Sequence, residues 1–254
     1  MNGEAKHIFC VIESGSLEET EELQLISYLD LAAVVRDTSL PAPPVAREQL
    51  VGHLRVIEQV MSHTAVVPVG FGAIAESEQE VRERLLVPCY DQLRGLLAYL
   101  HEKVELGLKV MWREMDSVFA EIVAEREDIS ALRAWIAARP TANTHQQRVQ
   151  IGQLVAEALA EKRAKEAEGI LAALAPLAAE VRTGKLFGDK MVLNAAFLVE
   201  RPREAEFDQG VASLGEERGH RLMIRYVGPE PPFNFANLRG VGLQPQEILR
   251  PSSA

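Results

Sequence analysis

The side chains best suited to chemistry, six histidines and two cysteines, are scattered along a chain of 254 residues. No histidine has the spacing of a zinc site, which would place a second histidine or a cysteine on the same helical face. Each cysteine lies in an apolar run without a base nearby in sequence, which favours buried, reduced thiols over nucleophiles. The pattern therefore predicts no metal site. The residues concerned are His7, His53, His63, His101, His145, His220, Cys10 and Cys89.

Motifs for phosphate binding or covalent catalysis are absent from the sequence. Gly70-Phe71-Gly72 is only a pair of glycines around an aromatic residue, and we interpret it as a bend after a strand. Glu13 and Asp30 end or interrupt predicted strands, and nothing in their spacing favours catalysis by paired carboxylates. We therefore predict no catalytic residues and no cofactor, and a protein that is not an enzyme.

The most unusual segment runs from Tyr226 to Phe235 and contains three prolines and three aromatic side chains. A β-patterned run ends in Gly-Pro, and a proline-stiffened stretch then presents Phe233 and Phe235 on one side if it is extended. Two interpretations stay open. Phe233 and Phe235 close over the core of their own domain, or they form a candidate partner-binding site together with Tyr226.

The sequence pattern of the first half of the chain predicts secondary-structure elements in the order β, β, α, β, α, β. Around residue 108, apolar side chains alternate with mostly polar ones, which is typical of an antiparallel strand covered on one face. A half-buried sheet with helices on one face is an α+β sandwich, here similar to the ferredoxin-like plan. The predicted strands are 6–12, 28–36, 64–71 and 103–113, and the predicted helices are 45–62 and 77–102.

The second half predicts a small β-α-β unit preceded by helices. Residues 161–168 have almost no apolar face, so we expect a projecting long helix or a helical hairpin there. The predicted helices are 116–139, 145–182 and 203–219, and the predicted strands are 184–199 and 221–227. The predicted domains are 1–115, an N-terminal ferredoxin-like domain, and 116–254, an α+β domain with a helical insertion at 116–184 and an extended tail at 228–254.

Charge and hydropathy exclude several kinds of partner. The net charge is −10, with 37 acidic against 27 basic side chains, which argues against a nucleic-acid or anionic-membrane partner. The longest apolar stretch, 170–179, is too short to span a bilayer and contains a proline. The first residues lack the pattern of a signal peptide. We therefore expect a cytoplasmic protein.

Five segments together resemble the gas vesicle protein GvpL/GvpF family. They occur in the order of the family and span almost the whole chain. The chain departs from the family at Gly70, where relatives commonly carry a basic residue. The segments are 53–61, 64–72, 105–112, 188–194 and 226–235.

The resemblance implies a non-enzymatic accessory or minor structural protein of gas vesicles, the gas-filled protein compartments that give microbes buoyancy. It implies a role in nucleating or assembling the shell, through contact with the main shell protein or other gas vesicle proteins. It also implies two α+β domains, ferredoxin-like in part. Two alternatives stay open, namely a small-molecule-binding or enzymatic ferredoxin-like protein, and a homo-oligomeric scaffold built on the helix at 143–184. The oligomeric state is not predicted.

Overall fold

The computed structural model describes residues 5–38, 47–139 and 144–237. The chain divides into an N-terminal unit, residues 1–105 with 228–254, and a C-terminal unit, residues 106–227. This division differs from the predicted boundary at residue 115. The tail belongs to the N-terminal unit, where Phe233 packs against a hydrophobic cluster. Residues 238–254 of the predicted tail lie outside the described residues.

The N-terminal unit is built on a five-stranded sheet in the order β2-β3-β1-β4, with β5 also paired to β1. All of these pairings are antiparallel. The strands are β1 (Ala5–Glu13), β2 (Gln24–Tyr28), β3 (Leu31–Thr38), β4 (Val67–Pro68) and β5 (Ile74–Ala75). The helices of this unit are α1 (Arg47–Met61), α2 (Glu78–Val81) and α3 (Tyr90–Leu100), with a π-helical turn at Arg82–Leu86.

The strand predicted at 28–36 is in fact parts of two strands, β2 and β3, joined by a tight turn at Leu29 and Asp30. The prediction was wrong because the turn lacks glycine and asparagine, the usual signals for such a reversal. Leu29 adopts the left-handed conformation, with φ 52°. Bulky residues rarely adopt this conformation, because their Cβ crowds the backbone there.

Helix α1 buries one face against β1 and β3. Its buried side chains include Val56, Ile57 and Val60, which pack with Phe9 and Ile12 of the central strand. The sequence spacing of Leu50, Leu54, Ile57 and Met61 predicts an apolar face. The observed face overlaps this one but is rotated, since Leu50 and Leu54 are only partly buried. The rotation brings His53 into the interior.

The sheet of the C-terminal half has the strand order β7-β8-β6-β9. Its elements follow the sequence β-α-β-β-α-β, which is the ferredoxin-like connection. The strands are β6 (Lys103–Trp112), β7 (Glu180–Thr183), β8 (Met191–Glu200) and β9 (Leu222–Glu230). The helices are α4 (Met115–Glu125), α5 (Glu127–Ala137), α6 (His145–Leu174) and α7 (Glu204–Arg218).

The predicted α+β class is confirmed, but the ferredoxin-like order lies in the C-terminal half rather than the N-terminal one. Between β1 and β2 the chain has no helix over the described residues 14–23. The helix predicted at 145–182 ends at Leu174, and Glu180–Thr183 forms an edge strand that pairs with β8. Periodicity missed this strand because it is short and follows Pro176 in an alanine-rich run.

A charged network covers Trp112 in the C-terminal unit. The guanidinium of Arg221 lies 4.8 Å from the ring centroid of Trp112 and donates two hydrogen bonds to Glu121, at 2.5 and 2.8 Å. Lys162 on α6 donates to the same carboxylate at 3.0 Å. The hydrogen bonds from Arg221 hold the pKa of Glu121 below its usual range. The network thus joins α4, α6 and the start of β9.

None of the helices in the described part of the chain is both long enough and apolar enough to cross a bilayer. The longest, α6, has 30 residues but carries charged side chains along its middle.

Candidate partner-binding site

Tyr226, the first of the three predicted site residues, lies on β9 and is held within the C-terminal unit. Its ring is 6.1 Å from that of Phe207, centroid to centroid. Its hydroxyl donates a hydrogen bond of 2.5 Å to Oδ1 of Asp208. Burial and this carboxylate raise the pKa of Tyr226 well above its ordinary value. The phenol group is therefore neutral at physiological pH.

The other two predicted residues lie in a turn, not in an extended segment. The N–H of Phe233 donates to the carbonyl of Pro231 at 2.7 Å, and the N–H of Phe235 donates to the carbonyl of Pro232 at 3.0 Å. The expectation of an extended tail is therefore wrong for residues 231–236. Prolines lack N–H groups, but their carbonyls accept the bonds that close the turn.

Both phenylalanines belong to the N-terminal unit. Phe235 is fully buried, with 2% of its surface exposed. Phe233 is partly buried and packs against the cluster between α1 and the sheet. While the turn is in place, Phe235 offers no surface to another molecule. The cluster consists of Phe9, Cys10, Ile12, Leu23, Ala32, Val34, Val56, Ile57, Val60, Met61 and Val66.

A buried carboxylate, which sequence analysis missed, ties the turn to the unit. Glu105 is 3% exposed and accepts hydrogen bonds from the backbone N–H of Asn234, at 2.9 Å, and from its Nδ2. Gln92 on α3 donates to the carbonyl of Asn237 at 3.0 Å. Alternation along β6 placed Glu105 on the polar face, and no local signal distinguishes it from an exposed residue.

The structure therefore gives the three predicted residues different surroundings. Tyr226 packs with Phe207 in the C-terminal unit, Phe233 packs against the cluster of the N-terminal unit, and Phe235 is buried. A partner-binding role for them stays a prediction.

Two histidines 46 residues apart in sequence meet in the N-terminal unit. The ring nitrogens His7 Nε2 and His53 Nδ1 are 3.0 Å apart, and His53 Nε2 lies 2.9 Å from the carbonyl oxygen of Val69. That carbonyl can only accept, so His53 Nε2 carries a proton and donates it. In the neutral pair, His53 Nδ1 accepts from His7 Nε2. Phe9 stacks on both imidazoles.

Burial lowers the pKa of both imidazoles. The pKa of His7 falls to about 4, mainly through desolvation and further through the positive charges of His53 and Arg36. The pKa of His53 is also lowered by burial, against an opposing effect of the Val69 carbonyl. The pair is therefore neutral at pH 7 and serves packing.

The histidine pair predicts a pH-dependent stability. The free energy of unfolding should have its full value above pH 6.5 and should fall by about 1–2 kcal/mol between pH 6.5 and about 4. In this pH range the imidazoles of the unfolded chain bind protons readily, whereas those of the folded protein do not. The low figure allows for the partial exposure of His7. Urea denaturation at several pH values checks it, and His7→Phe should flatten the slope. His63→Gln, at an exposed site, is the matched control. If stability depended on pH as steeply in His7→Phe as in the unmodified protein, the assignment of this dependence to the histidine pair would be contradicted.

A partly apolar surface lies at the β2–β3 turn and the start of α3, and we call it the Leu29 surface. It comprises Tyr28, Leu29, Val87, Tyr90 and Arg94. These residues are linked by the ring contact of Tyr28 with Tyr90, by the ion pair of Arg94 with Asp30, and by the hydrogen bond from the N–H of Tyr90 to the carbonyl of Val87, at 3.5 Å. Leu29 is 68% exposed and Val87 is 46% exposed. Tyrosine and arginine beside exposed apolar side chains are typical of protein-binding surfaces. The sequence signal was the Leu29-Asp30 pair inside a predicted strand, which we did not interpret as a turn.

Polar contacts hold the Leu29 surface in one conformation. Tyr90 donates a hydrogen bond to Asp30, whose carboxylate also lies 3.4 Å from Nε of Arg94. The rings of Tyr28 and Tyr90 meet edge to face at 5.9 Å. The hydrogen bond from Tyr90 lowers the pKa of Asp30. The turn therefore keeps Leu29 exposed in a backbone conformation that costs about 1–2 kcal/mol.

Groups suited to chemistry do not assemble elsewhere in the described ranges. Within them, no three histidine, cysteine, aspartate or glutamate side chains come together as metal ligands. Cys10 and Cys89 are free and buried, and burial raises the pKa of both thiols. Both thiols are therefore protonated at neutral pH and unsuited to attack on a substrate.

Relatives and solved structures of the same fold are gas vesicle proteins. The chain is 31% identical over 205 residues to gas vesicle protein F of Streptomyces sp. (strain CB03234), covering 81% of this chain and 84% of that protein. It is 30% identical over 196 residues to gas vesicle protein F of Microcystis aeruginosa (strain PCC 7806), covering 76% and 79%. The fold matches the crystal structure of GvpF from Anabaena sp. PCC7120, with a TM-score of 0.81 at 23% identity, covering 93% and 99%.

The family model described as "Gas vesicle synthesis protein GvpL/GvpF" matches residues 5–237. The chain therefore belongs to the GvpL/GvpF family of gas vesicle synthesis proteins. The resemblance drawn from five sequence segments is confirmed, and with it a role connected with gas vesicles.

Proposed function

We propose that this protein is a non-enzymatic assembly factor of gas vesicles that binds the main shell protein or another gas vesicle protein in the cytoplasm. The family match across residues 5–237 carries this proposal. The buried thiols and neutral histidine pair offer no reactive group, in agreement with a binding role.

The Leu29 surface is the contact site in this proposal. The apolar segments of shell subunits would gain most by covering exposed apolar side chains that are already ordered. A contact through main-chain pairing at β2 is less favourable, because the side chain of Glu19 already accepts a hydrogen bond from the N–H of Leu25, at 2.9 Å. Strand addition would have to displace this carboxylate.

The tail turn has a supporting role in the proposal. Phe233 and Phe235 stabilise the N-terminal unit that presents the Leu29 surface, and Tyr226 orders β9 near Phe207. Direct contact of Phe235 with a partner then requires the turn to leave its site, because Phe235 is buried. Binding and stability are therefore separable by mutation.

The test is co-purification of the full chain with co-expressed gas vesicle proteins. Leu29→Ser with Val87→Ser should lower recovery of the partner at least about tenfold, because each buried aliphatic side chain contributes about 1.5–3 kcal/mol. Thermal stability should change little, since both side chains are exposed.

The matched control is Val149→Ser, which removes a similarly exposed apolar side chain from α6. Normal recovery with the double variant would refute the Leu29 surface. Failure of the unmodified protein to recover any gas vesicle protein, together with normal vesicles in a deletion strain, would refute the function itself.

A further inference from the structure

A groove with both apolar and charged side chains in its walls lies in the C-terminal unit, beside the middle of α6. It has a volume of about 240 Å³, and its walls come from α4, from α6 and from the loop between β7 and β8. Small-molecule sites commonly measure about 300–1,000 Å³, so the groove is better matched to one or two side chains. It is lined by Phe119, Gly152, Val155, Ala156, Leu159, Ala160, Arg163 and Asp189.

Helix α6 leaves the groove open to solvent. Gly152, Ala156 and Ala160 are exposed and recur every four residues, so they lie on one face of α6. A Cβ added to Gly152 would have no heavy atom within 4 Å. The apolar side chains of Val155 and Leu159 line the same groove. An incoming aromatic ring could therefore pack closely against the helix.

The loop beside the groove carries the most exposed aromatic side chain in the described part of the chain. Phe187 is 66% exposed. Two residues on, the carbonyl of Asp189 accepts a hydrogen bond of 3.0 Å from Nη2 of Arg163, which itself lines the groove. Gly188 makes the turn between them, with φ 70°. The loop is thus fixed to α6 while its aromatic ring projects into solvent.

We propose that a second copy of this chain covers this surface, with Phe187 of each copy inserted into the groove of the other. A projecting ring and a groove that is partly lined by apolar side chains, on a neighbouring loop and helix, form a self-complementary surface, which is what a twofold interface requires.

Charge complementarity supports a second copy as the occupant. Lys185 and Lys190 flank Phe187 and are exposed. Glu157 and Glu161 are exposed on α6, next in sequence to the groove residues Ala156 and Ala160. When the loop of one copy meets the helix of the other, these lysines approach opposite charges. A contact of this size predicts a weak dimer, with a dissociation constant in the micromolar range.

The first test is sedimentation equilibrium of the full chain from about 1 to 200 µM, a span that brackets a micromolar dissociation constant. The unmodified protein should show a monomer–dimer equilibrium, and Phe187→Ser should weaken it at least about tenfold. Leu29→Ser removes an equally exposed apolar side chain from the other unit and should leave the equilibrium unchanged. A strict monomer over the whole range would overturn the proposal, as would a dimer that Phe187→Ser does not weaken.

The second test identifies the contact directly. A mixture of Phe187→Cys and Ala156→Cys variants should form a disulfide between the two different chains under mild oxidation. The two native cysteines are buried and free, so they do not compete. Leu29→Cys mixed with Ala156→Cys is the control and should not crosslink. Equal crosslinking in both mixtures would contradict the proposed arrangement.

This interface is independent of shell-protein binding. Loss of dimerisation in Phe187→Ser with normal partner recovery leaves the proposed function in place. Loss of partner recovery in the Leu29 and Val87 double variant with a normal dimer leaves the interface in place.

Discussion

Replacing Phe235 with alanine is expected to lower the free energy of unfolding of the N-terminal unit by about 3 kcal/mol. Truncating a buried phenylalanine removes its transfer free energy and leaves a cavity, and together these cost about 3–5 kcal/mol. We expect the lower end, because Phe235 lies in a turn that can relax around the truncated side chain. Urea denaturation followed by circular dichroism measures the loss, with amide hydrogen exchange in β1 and β3 assigning it to this unit.

Phe187→Ala is the matched control, since it makes the same chemical change at an exposed site. Surface substitutions of this kind change stability by less than about 0.5 kcal/mol. Equal stability of the two variants would mean that the tail does not stabilise the N-terminal unit. The tail residues would then be free for the partner contact that the sequence also suggested.

Replacing Glu105 with alanine is expected to destabilise the same unit by about 2–3 kcal/mol. The change leaves the backbone N–H and the amide of Asn234 without their buried acceptor. Hydrogen bonds to a charged group contribute about 1.5–3 kcal/mol each. Water can replace part of this contribution, because Asn234 is exposed. Glu105→Gln keeps one acceptor oxygen but turns an amide N–H₂ towards a donor. This variant should therefore lose about half as much stability as Glu105→Ala.

A double-mutant cycle separates this contact from other effects. Glu105→Ala and Asn234→Ala should be non-additive, with a coupling free energy of about 1–2 kcal/mol. Glu114→Ala, at an exposed position beyond the end of β6, controls for the loss of one negative charge. Additive effects at 105 and 234 would show that the tail is held by its aromatic side chains alone.

Local signals in the sequence located much of the fold. Ser77 followed by Glu80 is a capping-box pattern that marks the start of the predicted helix 77–102. In the structure the Ser77 hydroxyl accepts a hydrogen bond from the N–H of Glu80 at 3.2 Å. Pro88 favours a break inside the same helix, and a π-helical turn precedes it while α3 begins two residues later. The alternation of apolar and polar residues located β6, and the apolar residues of this pattern are buried. Each of these features depends on residues within one or two turns of chain.

Features that depend on distant residues could not be predicted in this way. Glu105 lies on β6 like any polar strand residue, and only the turn 129 residues later explains its burial. His7 and His53 meet only because α1 packs across β1. The turn at Leu29 uses a left-handed leucine, which no propensity favours. The residues that shape the candidate site are therefore the ones that single-sequence patterns describe least well.

The central claim is that the Leu29 surface contacts a gas vesicle protein during assembly. The most direct measurement places a photo-crosslinking amino acid at position 29 of the full chain, in cells that make gas vesicles, and identifies the adducts by mass spectrometry. We predict adducts with the main shell protein or another gas vesicle protein, and none from the same probe at exposed position 149. Vesicle-forming cells in which position 29 yields no gas vesicle protein adduct would contradict the account.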